Sequence, residues 1–126
     1  MLERADRRPT KSAAQFAASL ELWRAVGNLF GMAFSLIGSA DIALDQHDYR
    51  RAARHLDEAL PLVRRIGECW ATARALTAAA RLAEGDGDRA RAGALYEESR
   101  AHWTRLGNAR ESDACRKAQV RLDAVT

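Results

Sequence analysis

His47, His55 and His102, the thiols of Cys69 and Cys115, and the adjacent carboxylates Asp57-Glu58 and Glu97-Glu98 are the side chains that suggest proton-transfer, nucleophilic or metal chemistry. Spacing argues against each. Neither cysteine stands three or four residues from a histidine, so no helical turn brings a thiol beside an imidazole base. The histidines therefore read as solvated or packing residues. The cysteines are 46 positions apart, with no CxxC and no histidine at ligand spacing, which suggests neither a zinc site nor a disulfide framework. Adjacent helical positions diverge by about 100°, so the paired carboxylates cannot share one substrate and instead form a solvated face. Gly85-Asp86-Gly87-Asp88 lacks the lysine and hydroxyl residue of a phosphate cradle and reads as a turn. No catalytic residue, cofactor or metal ligand is expected, and the chain reads as a non-enzyme.

The elements that carry these residues follow from composition. The 126 residues include 27 alanines and 18 arginines against two lysines, with only 6% aromatics, so strong helix formers dominate and an all-α chain is expected. Positive and negative charges are interleaved and sum to +3, a poor footprint for nucleic acid. The weakly polar run from Leu29 to Ala40 meets Asp41 at once and is too short to span a bilayer. Two unlinked thiols without an export signal point to the cytoplasm.

An offset of 40 aligns three segments: Leu22-Trp23-Arg24-Ala25-Val26-Gly27-Asn28, Leu62-Val63-Arg64-Arg65-Ile66-Gly67-Glu68 and His102-Trp103-Thr104-Arg105-Leu106-Gly107-Asn108. In each, two apolar residues three apart share a helical face, and the following glycine suits a left-handed C-terminal cap. The same offset aligns Asp48-Tyr49-Arg50-Arg51-Ala52 with Asp88-Arg89-Ala90-Arg91-Ala92, an aspartate cap before each helix. These signals predict helices over 10–26, 29–45, 49–66, 69–84, 89–106 and 109–124. The links are so short that successive helices must fold back as hairpins.

The register Leu36, Ser39, Ala40, Ala43, Asp48-Tyr49, Ala52, Leu56, Ala59, and then Leu76, Ala79, Ala80, Ala83, Asp88, Ala92, Tyr96, Ser99, resembles a tetratricopeptide repeat array. The period of 40 rather than 34, with segments ending Trp23-Arg24-Ala25-Val26-Gly27 and Trp103-Thr104-Arg105-Leu106-Gly107 that approximate a "W-R-x-L-G" phrase, is similar to the repeat regions of large actinobacterial LuxR-type and antibiotic-pathway ATPase regulators. The resemblance implies antiparallel helical-hairpin repeats stacked as a right-handed α-solenoid. Its units are 29–67 and 69–107, preceded by a half repeat over 12–27 and closed by a capping helix over 109–124, within a single domain over 12–124. Residues 1–11 would form a flexible basic leader.

In that family the first helix of each hairpin lines a concave groove. Carried over, this gives Phe34, Ile37 and Asp41, then Arg74, Thr77 and Arg81, then Ala114, Lys117 and Arg121, grading from apolar to basic. The implied role is a protein-interaction scaffold in a transcriptional regulatory or signalling system, its partner a protein or a peptide with an apolar end and an acidic end. The alternative is a sensor of a small ligand or signal peptide. The first helix lacks its hairpin partner, so Phe16, Leu20 and Trp23 are expected to be bare and to support a homodimer or a longer array. Neither a membrane nor a nucleic acid is expected as a partner.

Overall fold

A computed structural model of the chain describes residues 11–124, and every regular element among them is an α-helix. The helices are α1 Lys11–Val26, α2 Leu29–Asp45, α3 Tyr49–Ile66, α4 Cys69–Gly85, α5 Arg89–Arg105 and α6 Ala109–Ala124. All ends fall within one residue of expectation. The basic leader lies outside the described residues except for Lys11, which opens α1. Each helix packs on the next, and α2 also packs beside α4, so the hairpins stack as a helical-repeat solenoid. No helix among the described residues is long and apolar enough to cross a membrane.

The offset of 40 is written in the caps. Asn28, Glu68 and Asn108 each accept hydrogen bonds from amides in the first turns of α2, α4 and α6. Asp48 and Asp88 do the same for α3 and α5. Gly27, Gly67 and Gly107 close the preceding helices with φ of 72°, 69° and 73°, a conformation that glycine adopts without steric cost.

The core runs as three clusters along the stack and is built mostly from alanine, with leucine, valine, tyrosine and tryptophan filling the gaps. Its packing trades size across each hairpin-to-hairpin junction. Leu56 and Val63 of α3 share clusters with Ala78 and Ala71 of α4. One repeat earlier the larger Phe16 and Trp23 of α1 lie over Gly38 and Gly31 of α2, where an added Cβ would collide with their ring atoms. Bulk on one helix is thus matched by its removal from the facing one.

Ser35 is the one buried side chain among the described residues whose hydroxyl has no hydrogen-bond partner. Its repeat-mate forty positions on is Ala75, also buried. A buried hydroxyl left unpaired is unfavourable, so Ser35→Ala is expected to raise stability by about 1 kcal/mol in a denaturant titration. A loss of stability would show that the hydroxyl is satisfied in solution.

Candidate functional site

On α2, Phe30, Phe34, Asp41 and Asp45 are separated by four, seven and four residues and share one face. On α4, Trp70, Arg74, Thr77 and Arg81 do the same. The side-by-side packing of the two helices brings these stripes together. Trp70 stacks against Phe30 and Phe34, with ring centroids 6.3 Å and 6.0 Å away and planes inclined by 22° and 23°. The Arg74 guanidinium lies 5.4 Å from the Trp70 ring centroid and donates to Asp41 at 2.6 Å. Arg81 bridges Asp41 at 3.5 Å and Asp45 at 2.7 Å.

A cavity of about 490 Å³ opens beside this seam, walled by Asp41, Trp70, Arg74 and Arg81 on one side and by Trp103 and Glu111 on the other. A second, of about 660 Å³, is walled by Tyr49, Glu84, Tyr96 and Arg121. Both include Thr77, Arg81 and Glu111, which makes them two ends of one groove over α2, α4 and α6. In the larger end Glu84 accepts from the Tyr96 hydroxyl at 2.9 Å and from both Arg121 Nη2 and Nε, the former at 2.8 Å. Burial, then the bond to Glu84, raises the Tyr96 phenol above its ordinary range, while Glu84 holds Arg121 firmly charged.

The groove expected from the resemblance is thus redrawn. Phe34, Asp41, Arg74 and Arg81 meet along the seam, and Arg121 sits at the far end. Ile37 does not line the groove: it is only 1% exposed, because α3 and α4 cover that side of α2. Thr77 lines it, yet its hydroxyl accepts from the Trp103 indole at 3.1 Å and meets Ser99, so it belongs to the joint between α4 and α5. Lys117 is exposed, pairs with Asp113 and falls outside both cavity walls. Ala114 lines the larger end. The basic grade is also corrected, since Arg74, Arg81 and Arg121 each have a carboxylate partner within the chain.

The expected bare patch on α1 is redrawn in part. Phe16 sits edge-on to Phe34 with centroids 6.1 Å apart, Leu20 packs against the core, and Trp23 covers Gly31. All three touch the body of the solenoid, yet Trp23 keeps 37% exposure, and the bare surface extends to Leu22 and Val26, at 69% and 71%.

Phe30, Trp70 and Glu111 were not singled out from the sequence, although Phe30 and Trp70 are repeat-mates. Cys69 and His102 do meet, Sγ to Nδ1 at 3.3 Å, across the α4–α5 hairpin and 33 residues apart. Ser99, one turn before His102, instead donates to the Ala73 carbonyl at 2.9 Å. Cys115 is buried beside Thr77, and burial pushes its thiol upward. Among the described residues no group of three or more His, Cys, Asp or Glu could hold a metal ion.

No family model, curated protein or solved structure compared with the chain matches it.

Proposed function

We propose that the chain is a non-catalytic, tetratricopeptide-type scaffold of the cytoplasm that binds a peptide or a segment of a partner protein along the α2–α4–α6 groove. Its place would be in a transcriptional regulatory or signalling system. The observation that carries the reading is the aromatic shelf at the mouth of the groove. Phe30 and Phe34 are 44% and 42% exposed, side by side, with a mixed polar wall beyond them. Paired exposed rings beside polar groups form an anchor for an apolar side chain, the arrangement that dominates affinity in protein recognition. The 40-residue recurrence of caps and small core residues supports the family reading, and the two free cysteines support a reducing compartment.

The test is to select peptides from a random display library and titrate the tightest by fluorescence anisotropy. The Phe30→Ala, Phe34→Ala double variant is expected to weaken binding at least about tenfold, the loss of two aromatic anchors. Unchanged affinity in a folded variant would place the binding elsewhere. The cavity of about 660 Å³ supports a second reading, a small-ligand sensor, because its volume is that of a small-molecule site. That reading requires ligand-dependent thermal stabilisation.

For self-association we propose the outer face of α1 rather than its inner one. Leu22 and Val26 are bare, whereas their repeat-mates Leu62 and Ile66 pack into the core. A second copy covering this face would appear in light scattering as a concentration-dependent dimer that Leu22→Ser with Val26→Ser converts to monomer. A native monomer at every concentration would remove the dimer.

A further inference from the structure

Resting on the peptide-groove reading, we infer that the bound segment is cationic beside its apolar anchor: an arginine or lysine within a few residues of a leucine or an aromatic. The groove is lined by three carboxylates, Asp41, Glu84 and Glu111, and three guanidiniums, Arg74, Arg81 and Arg121, with Asp45 pairing with Arg81 from outside the walls. Every guanidinium is already spent. Arg74 is bonded to Asp41 at 2.6 Å while lying against Trp70, Arg81 is shared between Asp41 and Asp45, and Arg121 is bonded to Glu84.

An incoming carboxylate would have to break one of these pairs and leave its old partner unmatched in a partly desolvated cleft, a cost that outweighs a new pair of the same strength. It would also face Glu111. Among the described residues, Glu111 is the one groove carboxylate that makes no ion pair. It lines both cavities and so stands at the centre of the groove. An incoming cation pairs with Glu111 without breaking anything, and a neighbouring apolar side chain reaches the shelf of Phe30 and Phe34. The preference runs against the chain as a whole, whose net charge of +3 would draw acidic peptides nonspecifically, so a cationic preference can come only from local charges.

Glu111 also lies in the first turn of α6, where a negative charge suits the helix dipole, and the test must separate the two roles. A random twelve-residue display library is selected on the native chain, on Glu111→Gln and on the Phe30→Ala, Phe34→Ala variant, with thermal melts of all three. The native chain is expected to enrich arginine or lysine near an apolar residue. Resynthesised winners should bind about tenfold tighter than their glutamate-for-arginine versions, in keeping with a partly shielded ion pair. Glu111→Gln should keep the apolar enrichment, lose the cationic one and melt close to the native temperature.

Enrichment of aspartate or glutamate, or cationic enrichment that persists in Glu111→Gln, overturns the inference. If such peptides still depend on Phe30 and Phe34, the groove reading stands without it. If no enriched peptide depends on those rings, both readings fall together.

Discussion

Replacing Trp103 with alanine is expected to cost about 3–5 kcal/mol, the range for emptying a buried aromatic site. Trp103 is only 2% exposed and joins Ala73, Tyr96, Cys115 and Ala118, residues from three helices. Its indole N–H donates to the Thr77 hydroxyl at 3.1 Å, so the substitution removes both volume and a buried polar partner. Nothing nearby can collapse into the space, because the surrounding side chains are largely alanine and are tied to rigid helices. Trp103→Phe separates the two contributions. It retains most of the bulk, loses the indole donor with a small part of the volume, and should cost about 1–2 kcal/mol. Urea titrations of the three proteins read this directly, and a loss below about 1 kcal/mol for the alanine variant would mean that α4 and α6 do not close over Trp103 as described.

The second large effect is at the other end. No residue of α1 is fully buried, and the helix is held by two rings seated over two glycines, by Leu20 against the core and by the ion pair of Arg24 with Glu58. Gly38→Ala places a methyl 2.5 Å from the Phe16 ring, and the same change at Gly31 strikes the Trp23 ring. Overpacking of this kind costs about 1–3 kcal/mol per site, against the roughly 1 kcal/mol that alanine gains over glycine in a helix. The double variant is therefore expected to lift α1 from α2, with amide exchange in α1 accelerated and the later helices unaffected.

The next repeat supplies the rescue, since it places Leu56 with Ala78 where the first has Phe16 with Gly38. Phe16→Leu added to Gly38→Ala should recover most of the loss, giving a clear coupling in a double-mutant cycle. A Gly38→Ala protein more stable than native, with α1 exchange unchanged, would show that Phe16 is not seated over Gly38.

These two sites mark how far the sequence could be read. Helix ends were legible because capping chemistry is local: Asn28, Glu68 and Asn108, Asp48 and Asp88, and the glycines at 27, 67 and 107 announce each boundary within a few residues of it. The stacking followed from the period. The charge state of the groove was not legible, because Asp41 pairs with Arg74 and Arg81, 33 and 40 residues away, and only the lateral spacing of α2 and α4 makes those pairs. Counting arginines on one helix face therefore overstated the positive field.

Ile37 and Thr77 share a register yet differ in fate. Ile37 disappears into the core, whereas Thr77 is drawn toward the Trp103 indole, a partner Ile37 could not serve. The bareness expected of Phe16 and Trp23 gives way to partial cover from α2, with Trp23 still 37% exposed. The signal that they are seated was present in Gly31 and Gly38, spaced by seven like the rings that cover them, but it becomes visible only when ring size and facing-residue size are compared across the junction.

That α2, α4 and α6 present one binding groove is tested most directly by amide and indole chemical-shift mapping of the chain with a selected peptide. The shifts are expected to gather on the Trp70 indole N–H and on residues around Phe30, Phe34, Arg81 and Glu111, leaving the outer faces of α3 and α5 quiet. A footprint confined to α1, α3 and α5, with the Trp70 indole unmoved, would contradict it.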